Sequence, residues 1–385
     1  MKLFKYLYSL LPIFRISATF LFLIFCLTSR AYDFEVKGLY FNKLSNNTVE
    51  CCGGGQSPND VTFRQTEITI PAIVRYNSTD YTVVKIADRA WFNCTYYVYI
   101  KTLNLPETIT EIGELAFGDC RNIKKINFPE GLRSIGDGAL QGPRIEDYVF
   151  PKSLKQLGSR VFNSHLKNVI FTSDTPPVIN SETFVYQNGY QTDIFIPDGF
   201  AIYVPDIEKY STFTGFIEYL NPICTFSNNV YTYSGERPKI NYTNHLPVSH
   251  SLSFDIVNLP INAGTYSTIL TGLLDGQFMI DFPLNIVINK ANLNIKVNNV
   301  SRLYGENNPE LTAEITGLVS SESVNDALTN GYHLYTKATT KSDIGEYPIL
   351  LSSDISTNYT VNFHPGILNV SKAPIKLSIR NYSRE

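Results

Sequence analysis

Between residues 86 and 184 apolar side chains recur in two interleaved patterns. The first is a pair, a small or β-branched residue followed by a bulky one: Ala90-Trp91, Ala116-Phe117, Ala139-Leu140, Val161-Phe162 and Thr183-Phe184. Its first members are spaced by 26, 23, 22 and 22 residues. The second is a short alternation closed by proline. Ile123, Ile126 and Phe128 precede Pro129, and the neighbouring strands close in the same way at Pro106 and Pro151. Alternation puts the three apolar side chains on one face of a strand and turns Lys124, Lys125 and Asn127 outward. Proline then ends the strand, because it has no N–H to continue a ladder. A repeat of this period predicts a solenoid, in which each coil buries its apolar face only against the next. Ala116 is small where coils approach, Phe117 fills the space between them, and Ile112 completes the back of the turn.

The pattern is written most fully in 111–129, Glu-Ile-Gly-Glu-Leu-Ala-Phe-Gly-Asp-Cys-Arg-Asn-Ile-Lys-Lys-Ile-Asn-Phe-Pro. These residues resemble the BspA-like leucine-rich repeats of bacterial surface proteins, I-G-x-x-A-F-x-x-C-x-x-L-x-x-V-x-I-P. The match is good in 86–106 and departs in 134–151, where Pro143 stands at the Cys position and Leu140 replaces Phe. The resemblance implies a domain over 32–220, opened by the strand at 32–41. Strands at 61–71 and 81–86 would cap its first coil, and 207–220, with Tyr210, Phe213, Phe216 and Ile217, would cap its last. It also implies adhesion to host matrix or to other cells.

From Asn221 a second repeat takes over. Tyr233-Ser-Gly-Glu-Arg-Pro238 matches Tyr304-Gly-Glu-Asn-Asn-Pro309, Asn262-Ala-Gly-Thr-Tyr266 matches Asp343-Ile-Gly-Glu-Tyr347, and Lys290-Ala291 matches Lys372-Ala373 at a distance of 82 residues. Tyr-Gly/Pro clusters are turns, and 293–297 and 367–370 alternate as strands. These residues resemble MBG modules, the tandem Ig-like repeats of bacterial surface proteins, with the first copy departing at Tyr-Ser-Gly. Ala373 to Arg384 repeats Ala291 to Arg302, including Asn-x-Ser-Arg. The expected organisation is 32–220 solenoid, 221–291 and 292–373 MBG-like modules, and 374–385 the start of a third, frayed because a lone strand buries nothing. The fold class is mostly β: a leucine-rich-repeat solenoid followed by tandem small all-β modules.

Residues 1–31 read as a secretory signal. Lys2, Lys5 and Arg15 lead an apolar run at 16–28, and Ser29-Arg30-Ala31 offers a cleavage site after Ala31. Arg15 leaves that run short of the ~20 residues a membrane span needs. Removing four basic and no acidic residues takes the net charge from −3 to −7, which argues against nucleic acid as a partner. The chain is rich in Tyr (25) and Phe (24), a composition that favours strands and turns over long helices.

Little in the sequence points to chemistry. The histidines His165, His245, His250, His333 and His364 are scattered and read as surface residues, and no metal, cofactor or catalytic site is predicted. Cys51-Cys52-Gly53-Gly54-Gly55 reads as a flexible loop, and Cys120, like Cys94, as a buried thiol acting as a small hydrophobe. Five cysteines follow the leader, an odd number, so a disulfide framework is not expected. Glu146-Asp147 reads as a solvated pair on an open strand face. What remains is that face. Its candidate ligand-binding residues are Lys101, Asn104, Lys124, Lys125, Asn127, Glu146, Asp147, Lys167 and Asn168, with Thr102, Val149, Ile170 and the stretch Thr192, Asp193, Phe195 in the same rows. The expected partner is an extracellular protein or glycan, on host matrix or another cell surface. The rival expectations are a structural spacer with an inert face and, more remotely, a glycan hydrolase.

Overall fold

In the computed structural model the described residues are 32–54, 66–92, 100–118, 120–187, 194–319, 322–328, 332–353, 357–376 and 378. The signal reading of 1–31, the capping strand at 61–65, Cys94, Thr192, Asp193 and nearly all of the third copy beyond 376 lie outside them. The chain divides into two compact units, 1–221 and 222–385. Both are built almost entirely of strands, and Val324–Ala327 is the one α-helix among the described residues.

The first unit is a stack of coils with two parallel ladders. On one side Thr48–Gly54, Thr79–Ile86, Glu111–Ile112, Ser134–Ile135 and Gln156–Leu157 follow one another. On the other, Glu67–Thr69, Thr102–Asn104 and Lys125–Asn127 form one run, and Asp147–Phe150, Asn168–Phe171 and Ala201–Val204 form a second, with Leu220–Pro222 beside its last strand. The runs meet where Pro143 precedes Arg144, whose N–H still donates to Ile123 O at 3.0 Å. The core runs the length of the stack, with Ala116, Phe117, Ala139, Leu140, Val161, Phe162 and Phe184 fully or almost fully buried. Trp91 stacks on Phe117 with centroids 5.6 Å apart, and Phe162 on Phe184 at 5.8 Å. A second file on the strand side joins Phe128 to Phe150 at 5.3 Å and Phe150 to Phe171 at 5.7 Å.

The turn carrying each apolar pair is locked to the next coil through its backbone. Trp91 N–H donates to Ala116 O (2.7 Å), Phe117 N–H to Ala139 O (3.0 Å) and Leu140 N–H to Val161 O (2.9 Å). The residue before each of the first four pairs is left-handed: Arg89, Leu115, Gly138 and Arg160 have φ of 56°, 50°, 61° and 50°. Three of the four bear side chains in a conformation that costs each of them about 1–2 kcal/mol, so the stacking bonds hold the turn against local preference. Asp88 Oδ1 accepts from Glu114 N–H at 3.0 Å, and Asp137 Oδ1 from Ser159 N–H at 2.7 Å. This approach requires glycine after Ile112, since a Cβ at Gly113 would stand 2.3 Å from Asp88 Oδ1.

Both ends of the stack are covered. Phe34–Val36, Leu39–Lys43 and Ile73–Tyr76 pair around the first coil. At the far end Tyr210, Phe213 and Phe216 are buried in the expected cap, whereas Ile217 is exposed. Several sequence expectations are corrected here. Cys51-Cys52 is no loop: it lies in the strand Thr48–Gly54, antiparallel to Leu39–Lys43 and parallel to Thr79–Ile86. Cys51 is fully buried, and burial pushes its thiol up to about 12. Cys120 is disulfide-bonded rather than a thiol, while Cys51, Cys52 and Cys224 are thiols, so its partner lies outside the described residues. Its Sγ is 3.0 Å from Trp91 O, which for a disulfide sulfur is a packing contact and not a hydrogen bond. Finally, Ile194–Phe195 does not continue the parallel ladder. It pairs antiparallel with Tyr186–Gln187, and Ala201–Val204, ending at Pro205, takes the next place beside Asn168–Ile170.

In the second unit two modules repeat one strand order. The first aligns Val230–Thr232, Phe278–Asn289, Gly264–Leu274 and Leu252–Phe254. The second aligns Val300–Leu303, Gly366–Ser371, Gly345–Ser352 and His333–Thr336. They differ in the last strand. Phe278–Asn289 runs unbroken against Gly264–Leu274, whereas in the second module Tyr359–His364 joins Ala291–Val297 and the chain changes sheets at Pro365 before Gly366–Ser371.

Two substitutions test this packing. Phe117→Ala removes a fully buried ring from between coils and is expected to cost about 3–5 kcal/mol, read as a lower denaturation midpoint of the first unit. Tyr148 is buried with a hydroxyl that has no hydrogen-bond partner among the described residues, and burial pushes its phenol up. Tyr148→Phe is therefore expected to raise stability by about 1 kcal/mol, measured in the same denaturant titration.

Candidate functional site

The outer strand face is built by the alternation that fills the core. In Lys125–Asn127 and Asp147–Phe150, Ile126, Tyr148 and Phe150 point inward, leaving Lys125, Asn127, Asp147 and Val149 outside. Pairing fixes the rows. Glu67, Thr102 and Lys125 lie in one, Thr69, Asn104 and Asn127 in the next. In the second run Asp147 stands beside Asn168 and Ala201, and Val149 beside Ile170 and Tyr203. Neighbouring strands of a sheet lie about 4.8 Å apart, so each row is a column of side chains at that spacing.

Five of the nine candidates, Asn104, Lys125, Asn127, Asp147 and Asn168, lie in these strands, while Lys101, Lys124, Glu146 and Lys167 each stand one residue before a strand, and hydrogen bonding divides them. Asn127 Nδ2 donates to Asn104 Oδ1, and Asn104 Nδ2 donates to Glu67 Oε1 at 2.6 Å and Thr69 Oγ1 at 3.2 Å. Asn168 Nδ2 donates to Asp147 Oδ1 at 2.7 Å, and Lys167 Nζ to Glu146 Oε2 at 2.9 Å. The asparagines thus form a ladder that satisfies its own amides across coils. The Glu146–Lys167 pair, more than half exposed on both sides, contributes at most about 1 kcal/mol. Lys101, Lys124 and Lys125 are exposed and form no ion pair among the described residues. They are stacked in space, since Lys124 and Lys125 N–H both donate to Lys101 O, at 2.8 and 3.1 Å.

Two outward positions differ from the sequence reading. Ile170 belongs to the outer row yet is fully buried, and Val149 and Tyr203 beside it are half-buried. Burial raises the pKa of the Tyr203 phenol, as does the Asp147 carboxylate. Glu67 and Thr69, which extend the asparagine ladder by one coil, were not among the candidates. Their signal was present in Ile68-Thr69-Ile70-Pro71, a proline-closed alternation without an Ala-Phe partner.

Other chemistry-bearing groups belong to the second unit. His250 is half-buried rather than a surface residue, with Nδ1 2.7 Å from Asp275 Oδ2, while exposed His245 places Nε2 2.9 Å from Thr225 Oγ1. Among the described residues no group of three His, Cys, Asp or Glu is placed to hold a metal ion. Nor is any helix there long and apolar enough to cross a membrane.

With this geometry in hand, comparison with known proteins is informative. The family described as "BspA type Leucine rich repeat region" matches residues 77–204 in six copies, and "MBG domain (YGX type)" matches 293–369. Among solved structures the chain is similar to a leucine-rich repeat protein from Bacteroides ovatus, with 18% identity and a TM-score of 0.29 over 45% of this chain and 61% of that one. It is also similar to the leucine rich repeat protein of T. pallidum, with 22% identity and a TM-score of 0.28 over 36% and 70%. A third is a leucine rich cell surface protein from Faecalibacterium prausnitzii, with 18% identity and a TM-score of 0.27 over 44% and 50%. No curated protein matches the sequence.

Because the three lysines make no ion pair among the described residues, reversing Lys124→Glu and Lys125→Glu together is expected to change unfolding free energy by less than about 0.5 kcal/mol per site. Equal thermal melting curves for the variant and the parent chain would bear this out.

Proposed function

We propose, for a chain that joins six copies of a BspA type leucine rich repeat to an MBG domain, that it is a secreted, surface-exposed binding protein. Its coils present the outer strand face to an extracellular protein or glycan on host matrix or another cell, and the MBG-like modules act as a stalk. The signal-like leader at 1–31 supports export. The observation that carries the reading is the trio Lys101, Lys124 and Lys125, exposed cations on adjacent coils with their strand positions fixed by backbone bonds. A rigid scaffold holding unsatisfied donors loses little freedom on binding, which favours recognition over mere solubility. Stacked repeats of this kind generally offer extended binding surfaces rather than catalytic clefts, so binding is favoured over catalysis.

A second reading, a spacer with an inert face, draws on the other half of the same surface. There Glu146, Asp147, Lys167 and Asn168 satisfy one another. One experiment separates the two. The full chain and its Lys101→Glu/Lys124→Glu/Lys125→Glu variant are applied to arrays of matrix proteins and glycans. Binding at least tenfold weaker in the variant, about 1.4 kcal/mol or more, is the expected outcome. Equal binding, no binding by either, or binding retained by residues 222–385 alone would refute the assignment.

A further inference from the structure

The two modules of the second unit are joined by an interface made of specific side chains. Tyr233, at the end of the strand Val230–Thr232, donates its backbone N–H to Asn289 O at 2.8 Å. Its hydroxyl donates to Glu322 Oε1 of the second module, and the Tyr359 hydroxyl donates to Glu322 Oε2. The two rings meet edge to face with centroids 5.7 Å apart, and Val319 N–H donates to the Tyr359 hydroxyl at 3.0 Å. Alongside, Asn358 closes the seam. Its Oδ1 accepts from Ala263 N–H at 2.9 Å, and its backbone oxygen accepts from Ala291 N–H at 2.9 Å. Tyr233 is left 7% exposed, and Leu293, in the strand that opens the second module, is fully buried.

The same surface is present a second time at the far end of the second module. Tyr304 donates its N–H to Ser371 O at 2.9 Å, as Tyr233 does to Asn289 82 residues earlier than Ser371. Tyr347 donates its hydroxyl to Asp343 O at 2.9 Å, as Tyr266 does to Asn262 O at 3.0 Å. Backbone and turns are therefore preformed alike, but the burial is not. Tyr304 is 48% exposed, Ile344, at the place of Ala263, 55%, and Ile375, at the place of Leu293, 86%. Two of the three, Tyr304 and Ile375, are open where their counterparts are buried, Ile344 is open where Ala263 is half-buried, and Ala373-Pro374-Ile375 begins the sequence that repeats Ala291-Asn292-Leu293.

We propose that the distal end of the second module is a docking surface for a further module of the same kind, entering through the segment that begins at Ala373. The incoming module supplies counterparts of Glu322, Asn358 and Tyr359, whose carboxylate accepts from the Tyr304 hydroxyl and whose edge covers Ile344. The tyrosine thus acts as a socket at each end of the repeat, which makes successive modules a jointed rod of fixed geometry rather than beads on a flexible string.

The test uses tyrosine nitration by tetranitromethane, read residue by residue after peptide mapping. In the full chain Tyr304 is expected to react at least tenfold faster than Tyr233, whose phenol is pushed up to about 12 by burial and the Glu322 carboxylate. Replacing 373–385 with a second copy of 291–371 is expected to slow Tyr304 at least tenfold, and converting that copy's counterpart of Glu322 to alanine is expected to restore part of the rate. Tyr304 reacting as fast in the extended chain as in the original, however the added copy folds, overturns the proposal. A separate arm needs no added module: Glu322→Ala in the original chain should speed Tyr233 several-fold and leave Tyr304 unchanged. An unchanged Tyr233 would show that the existing junction is not the template, and overturns the proposal too.

Discussion

A single coil of the first unit has too little of itself to bury. Ile112, Ala116, Phe117, Ile123, Ile126 and Phe128 all need cover that the same turn cannot supply, and the neighbouring coil provides it. Parallel pairing places like residues over like, so Trp91 meets Phe117 and Phe128 meets Phe150. It also places the left-handed residues Arg89, Leu115, Gly138 and Arg160 one above another. Their strain is tolerated because the bond on each side of the turn closes only in that conformation. Coil-to-coil cover is thus a constraint on both backbone and side chain, and the caps at each end follow from it, since an end coil lacks one neighbour.

The outer face inherits its regularity from that core and its chemistry from what the core leaves over. Asparagine at Asn104 and Asn127 bridges adjacent strands through side-chain amides, a use that ties up the groups a ligand would otherwise meet. Glu146 with Lys167, and Asp147 with Asn168, do the same by charge and hydrogen bond. Among the described residues Lys101, Lys124 and Lys125 have no such neighbours. A surface that is uniform in spacing is therefore uneven in what it can offer a partner, and the unevenness follows sequence differences of one residue per coil.

The second unit solves a different problem. One apolar cluster runs from Leu270 and Ile286 of the first module to Leu293 and Tyr359 of the second, and polar groups close the seam beside it: Glu322 between two phenols, and Asn358 reaching back to Ala263. Such a seam depends on both partners, because one buried donor left unpaired costs about 1–3 kcal/mol. That dependence separates a jointed array from a flexible one, and it makes the exposed Tyr304 informative.

The spacing of Ala-Phe pairs and the proline-closed alternation were enough to set the coil, its inward and outward faces and the strand ends. Each is a one-dimensional period, and a period is a property of the chain itself. The 82-residue echo from Lys290 to Lys372 identified the modules for the same reason. Other features depended on which distant strand arrived alongside. Cys51-Cys52, glycine-flanked like a loop, became a buried strand because Leu39–Lys43 and Thr79–Ile86 close on both of its edges. Ala201–Val204 displaced Ile194–Phe195 from the ladder, Ile170 was buried on a face that alternation marks as outward, and Cys120 acquired a disulfide that a count of cysteines did not suggest. Edge pairing, burial from outside and cross-linking are set by contacts between residues far apart in the chain, and local pattern carries no record of them.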